Sequence, residues 1–498
     1  MHTNDEFYLS QLATFGRISA EKEQEGLIKY FVQTPTYLSA KRQETRKTYY
    51  VGHRGSGKSA LFSYLMYEFN KSTNNIVLSI TPDEFSYEIF GKVEHDCYDM
   101  KSVYSVVWRY TLLTSIFRKI IDHVLKNKTS QRIQEEISVI KNYLIENKLL
   151  DEDINTTFLD FFRKFNISLQ NIKLSNVNLD STSRKENKLL VKMLNMKDIQ
   201  PAISSLYRLL NTYHVFLFID ELDTGWDNSD EAKNFLHGMF SAVNRLKEEK
   251  GIIIYLSLRQ DMYNNLPSVF NDTEKIRDEI EELYWNKDSL KALIGLRLLN
   301  FLPSNQTKEL TFTKAIDLVF EEGVLDNLID HTLYRPREVI TYCNYALGMY
   351  KKSLFGSASS TGKINNDILY AVENTFSTNR LNEISQEYSL QYPKLKFIFF
   401  AFENNNVFYG FDQFSEILND CIIETSDKYD HDFWIVKYLD STEKLIKILY
   451  EIGFIKIYSD HFNKYMAYYE VNFQTMKNIG KIQIHPTFHS VLKLSENE

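Results

Sequence analysis

The residues best equipped for chemistry fall in two short stretches. Gly52, His53, Arg54, Gly55, Ser56, Gly57, Lys58, Ser59 and Ala60 carry a G-x-x-x-x-G-K-S pattern, with the apolar β-type run Tyr49-Tyr50-Val51 before it and an apolar helical pattern after it. Glycines at this spacing let the backbone curl until successive N–H groups point inward, and the following helix adds the positive end of its dipole. Such a nest suits a triphosphate, with Lys58 reaching the β- and γ-phosphates and the Ser59 hydroxyl holding Mg2+. In the second stretch, the apolar run Val215-Phe216-Leu217-Phe218-Ile219 ends in Asp220-Glu221. A continuous apolar run fits a strand buried on both faces, its C-terminal end opening at a ligand site. Asp220 is then placed to hold Mg2+ through water, and Glu221 to polarise an attacking water as the general base of a hydrolytic NTPase. A nucleoside triphosphate and Mg2+ are the expected cofactors.

Further cations qualify by position. Arg259 follows the apolar run 251–258, so that it or Ser257 could sense a γ-phosphate, while pairing with Asp261 or Asp223 would hold it at the strand end. Arg337 lies in the first turn of a helix opened by Pro336, against the helix dipole, which suggests an anionic partner; Arg335 is the second candidate. Arg277 could reach a neighbouring subunit's phosphate, although Asp278, Glu279, Glu281 and Glu282 around it favour a local ion pair. Arg118 and His123 form an R-x-x-x-x-H pattern used by some helical ribonucleases, but so short a pattern is weak, and an amphipathic helix with two polar residues facing water accounts for it better. Asp223, Trp226 and Asp227 could line a partner surface or cap local structure.

At 498 residues the chain needs more than one hydrophobic core. A net charge of −8 argues against general coating of polyanions and leaves room for a local basic patch, such as the cations between Lys41 and Lys58. Cys97, Cys343 and Cys421 are too few and too far apart for a disulfide framework, and His95 with Cys97 has no second ligand pair for zinc. The polar N-terminus is unlike a signal peptide, and no run approaches the roughly 20 apolar residues of a membrane span. A cytoplasmic protein is expected.

The elements that must position these groups divide the chain as follows. Residues 1–84 hold N-terminal helices and the first part of a parallel sheet; 85–207 read as a helical insertion with a polar middle at 168–188; 208–284 return to the sheet; 285–380 form a helical lid. The stretch 357–362 reads as a linker. Within 381–498, helices at 394–403, 411–418 and 442–452 precede two β-type runs, 453–458 and 465–471, an order that suggests a winged-helix-like domain. The last of these helices carries Lys444 and Lys447 beside Glu443 and Glu451, a thin basic face for DNA.

With both nucleotide motifs, the strand ending in Arg259, and Arg335-Pro336-Arg337 in place, the chain resembles the AAA+ and STAND-like P-loop ATPases related to origin-recognition ATPases. Phe15-Gly16, the stretch 285–297 and Ile484-His485-Pro486 extend the resemblance toward a family of bacterial P-loop ATPases. It implies an α/β P-loop NTPase core, a helical lid and a C-terminal winged helix, with a sensor role for Arg259 and a lid-arginine role for Arg337. It also implies an ATP-hydrolysing conformational switch acting with a protein partner or effector, several such ATPases serving in antiviral defence. Assembly into a homo-oligomer is one form of that switch. The alternative is a DNA-binding ATPase that loads on or remodels DNA through its tail. The long 85–207 stretch departs from the pattern and puts the usual partner surface in doubt.

Overall fold

The computed structural model describes residues 9, 12–19, 22–42, 47–81, 100–126, 129–147, 149–150, 198–223, 226, 228–264, 276–302, 310–354, 362–428, 434–439, 441–476 and 479–495. His95, Cys97, Asp227, residues 357–361 and the polar stretch 168–188 lie outside them, as do 85–99 and 151–197 of the expected insertion. The chain divides into two compact units, one of Pro35–His53 and Lys58–Leu283, the other of Met1–Thr34, Arg54–Gly57 and Tyr284–Glu498.

The first unit is built on a five-stranded parallel sheet. Its strands are β1 (Tyr49–Gly52), β2 (Asn75–Ile80), β3 (His214–Ile219), β4 (Ile252–Arg259) and β5 (Ile280–Glu282), in the order β2-β3-β4-β1-β5. The apolar runs read from the sequence become β3 and β4 because helices cover both faces, leaving no face for a polar alternation. One face is lined by aromatic side chains, with Phe218 stacked on Tyr255 at 4.7 Å and Phe69 on Phe216 at 4.1 Å. On the other, the amphipathic helix Met100–Leu125 packs along the helix Asp230–Lys247. Gly238 permits this approach, since a Cβ there would run into the Tyr104 backbone.

The helices Met100–Leu125, Gln131–Glu146 and Gln200–Leu209 share one hydrophobic core with the sheet. The described part of 85–207 is therefore packed into this unit as part of its core.

In the second unit, Leu9, Leu12 and Phe15 join a core made by the helices Lys287–Phe301, Phe312–Val319, Val324–Asp330, Pro336–Leu354 and Asn366–Glu387. The described residues among 1–34, read from the sequence together with the first part of the sheet, group here with the C-terminal helices. A capping box between Asn286 and Ser289 starts the first of these helices, and Asn365 caps the last. Further on, a second core gathers the helices Lys396–Phe400, Phe411–Lys428 and Thr442–Glu451 against an antiparallel sheet. That sheet contains β6 (Phe408–Gly410), β7 (Ile455–Ser459), β8 (Lys464–Met466) and β9 (Lys481–Ile484) in the order β6-β9-β7-β8. The expected two-stranded hairpin is present as β7 and β8, widened by two strands that the sequence reading missed. Among the described residues, no helix is long and apolar enough to cross a membrane.

Candidate functional site

In the sheet unit, three neighbouring strand ends bring the candidate residues together. Gly52, the last residue of β1, pairs with Arg259, the last of β4; on the other side of β4, Ile219 pairs with Leu256, so Asp220 follows directly at the same edge. Lys58 opens the helix Lys58–Phe69, whose first turn holds no acid, with Ser59 and Ala60 next to it. The Lys58 Nζ donates to the carbonyls of Gly52 at 2.6 Å and His53 at 3.0 Å, which holds its charge at the end of β1. Asp220 is 8% exposed, and its Oδ1 accepts the Glu221 amide at 2.9 Å. Glu221 stands at φ 62°, a left-handed conformation costly for a residue with a Cβ and most often found where a site over-determines the backbone.

Arg259 is buried and paired. Its guanidinium binds the Asp261 carboxylate with two nitrogens and approaches Asp223 at 3.8 Å. Of the two roles read from the sequence, the strand-end ion pair is the one occupied.

The loop tip, Arg54–Gly57, belongs to the other unit and has its own neighbours there. Gly55 at φ 81° and Gly57 at φ 97° take conformations natural to glycine, as an inward-curled loop requires. The Trp285 indole N–H donates to the Ser56 carbonyl at 2.7 Å, and the Arg337 amide lies 3.5 Å from the Gly55 carbonyl. A Cβ at Gly55 would sit 3.1 Å from the Arg337 Cβ, so a larger residue would crowd that helix start. The buried Ser56 hydroxyl has no hydrogen-bond partner, an orphaned polar group at the loop.

Arg335 is committed elsewhere. It is 2% exposed, and it donates to the Arg54 carbonyl at 3.3 Å, the Glu387 carboxylate at 3.1 Å and the Tyr468 hydroxyl at 3.1 Å. Burial works against its charge, while Tyr468, Glu387 and Glu338 more than offset that and keep it cationic. Arg335 is therefore not a free phosphate ligand, which leaves Arg337 as the lid candidate. Trp285 is the loop contact that sequence reasoning missed; its signal was a lone tryptophan just before a capped helix.

The remaining candidates separate. Arg118 is buried and donates to the Leu149 carbonyl at 2.6 Å, while the His123 Nε2 meets the Thr73 carbonyl at 2.7 Å; each ties down a different loop, the work of structural residues. Trp226 is 1% exposed, which removes it from any partner surface. Arg277 is exposed at the turn before β5. Lys41 pairs with Glu68 at 2.9 Å, and Lys447 lies 3.7 Å from Glu451, further thinning the basic face of that helix. Among the described residues no three His, Cys, Asp or Glu side chains cluster as for a metal. One hydroxyl and one carboxylate, Ser59 and Asp220, are hard oxygen donors that suit Mg2+, an ion that keeps much of its shell from water and phosphate oxygens.

Comparison with known proteins gives two likenesses. Residues 288–385, the stretch of helices beginning with Lys287–Phe301, match the family described as the FunZ-associated C-terminal helical domain. The chain is also 24% identical over 505 residues, 97% of its own length and 67% of the other's, to the "Putative transposon gamma-delta 80.3 kDa protein" of Escherichia coli (strain K12).

Proposed function

We propose that this chain is a Mg2+-dependent ATPase that works as a conformational switch on a protein partner. The observation that carries this reading is the meeting of Lys58, Asp220 and the Glu221 backbone at one edge of three adjacent parallel strands. Brought against a triphosphate, the Lys58 ammonium exchanges the Gly52 and His53 carbonyls for the β- and γ-phosphate oxygens. Ser59 and Asp220 would hold Mg2+, which supplies neutralisation of phosphate charge. Glu221 accepts a proton from the water whose oxygen bonds to the γ-phosphorus as the bond to the bridging oxygen breaks, yielding ADP and phosphate. Arg337, at the loop tip, is the arginine proposed to answer the phosphate.

The resemblance to AAA+ and STAND-like ATPases supports a switch linked to an effector, with bacterial antiviral defence as a setting. A second reading draws on the helix–strand–helix–helix–strand–strand–strand order of the tail and on a relative whose name places it with a transposon. There the tail binds DNA. Salt-sensitive DNA affinity that falls on charge reversal of Lys444 and Lys447 would favour it over the first.

The experiment is ATP turnover by the purified protein across a range of its own concentration, with Glu221→Gln as control. Turnover in the wild type, lowered about a hundredfold or more in Glu221→Gln with ATP binding retained, is expected. Equal turnover in both proteins removes Glu221 as the base. Specific activity that rises with concentration would mean that subunits complete the site for one another.

A further inference from the structure

We propose that Arg335 is a positioning residue that couples the backbone of the glycine-rich loop to the C-terminal domain through a buried charged network. The guanidinium touches four separate segments: the loop at Arg54, its own helix at Glu338 (3.5 Å), the long helix Asn366–Glu387 at Glu387, and the tail at Tyr468. Two of these partners are themselves fixed. Glu338 accepts the Leu333 amide at 2.6 Å and lies 3.2 Å from the Arg380 guanidinium, while the Tyr468 hydroxyl also donates to the Leu333 carbonyl at 3.3 Å.

The turn carrying Arg335 is held from the tail side as well. Tyr334, at φ 56°, stacks on Tyr469 with ring centroids 4.4 Å apart, and Tyr469 meets His485 at 3.0 Å. Gly453, at φ 90°, lets Leu333 and Tyr468 close over it, since a Cβ there would come within 2.9 Å of both side chains.

The network's four buried members are two arginines, Arg335 and Arg380, and two glutamates, Glu338 and Glu387, while Arg380 also reaches the exposed Glu383. The network is not saturated: the Arg335 Nη2 and Glu387 Oε1 have no hydrogen-bond partner. A buried network with unused donors and acceptors can adopt a second pairing, whereas a fully satisfied one is locked. A shift of the Arg54 carbonyl therefore changes the pairing available to Arg335, and with it the hold on Glu387 and Tyr468. By linkage, the tail acts equally on the loop. That ATP supplies the shift rests on the function proposed above; the coupling itself does not.

The test is peptide-resolved hydrogen exchange on the full chain. Without ligand, Gly55→Ala, which disturbs the loop at φ 81°, should speed exchange about fivefold or more in peptides covering 381–388 and 464–471 while leaving β9 unchanged. From the other end, Tyr468→Phe and Glu387→Gln should speed exchange in the peptide covering 50–60 by a similar factor. This second pair decides the matter if Gly55→Ala does not fold. Unchanged exchange at the far end overturns the proposal. In the presence of ATP, the wild type should gain protection at 464–471 and Tyr468→Phe should not, although both bind nucleotide. Binding without any tail response in the wild type also overturns it. Failure of ATP to bind counts against the ATPase reading, and the ligand-free arm still decides the coupling.

Discussion

The Arg297 guanidinium and the Phe15 carbonyl are 282 positions apart in the chain and 2.9 Å apart in space. Arg297 is 5% exposed; it also pairs with Glu23 at 3.1 Å and lies over the Tyr30 ring at 4.6 Å. Gly16, at φ 94°, is required here because any side chain would collide with that guanidinium. Arg297, a charge among the buried apolar residues of the helix Lys287–Phe301, is thus the anchor of the N-terminal segment.

Arg297→Ala leaves the half-buried Glu23 carboxylate without its cation, holding only neutral donors such as the Arg17 amide, and should destabilise this unit by about 2–4 kcal/mol. Denaturant unfolding measures the loss, and limited proteolysis should cut first within 12–30. Arg297→Lys should recover little, since an ammonium cannot both stack on Tyr30 and fork between carbonyl and carboxylate.

That anchor marks where the sequence was legible. β3 and β4 were readable because both their faces are covered, and the Pro336 helix start because proline fixes it. The docking of 12–30 on Lys287–Phe301 was not, since a single arginine bonded across the chain leaves no local pattern. β5, β6 and β9 are three or four residues long, too short for periodicity, although Ile482 and Ile484 did alternate. At the site, the residue types at the end of β3 pointed to Asp220 and Glu221, and Arg259 with Asp261 stood as one of two readings. The commitment of Arg335 depends on Glu387 and Tyr468, which only folding brings to it.

Lys58→Ala should abolish measurable ATP binding. It also deletes two charge-assisted hydrogen bonds to the loop, so unfolding stability should fall by about 1.5–3 kcal/mol. Calorimetric titration with ATP and a denaturant melt on the same sample separate the two effects. ATP affinity equal to wild type would remove Lys58 from the phosphate.

His485 supplies a pH dependence. Burial, with Lys456, His489 and His331 nearby, holds its imidazole well below the ordinary histidine range. Its Nδ1 accepts the Thr487 amide at 3.2 Å, and Tyr469 occupies the other nitrogen. The unfolded chain takes up the proton near pH 6.5 and the folded chain does not. Stability is therefore full above about pH 6.5 and declines by up to roughly 1.4 kcal/mol per pH unit below it. His485→Asn, which retains an acceptor for the Thr487 amide, should flatten that decline in melts between pH 7 and pH 5.

Gly453→Ala should destabilise the tail by about 1–3 kcal/mol, because the new Cβ meets Leu333 and Tyr468 on a left-handed backbone. A thermal melt would show it. An unchanged melting temperature would mean that these two side chains yield at little cost.

The order β2-β3-β4-β1-β5 also sets a timetable for synthesis. Tyr49 pairs on one side with Leu256 and on the other with Ile280, so β1 emerges long before either neighbour exists. Until β4 and β5 follow, an apolar strand with two bare hydrogen-bonding edges must wait, a state open to mispairing with other chains. The strand that leads into the glycine-rich loop is the first of the five to be made and the last of the three internal strands to have both edges covered.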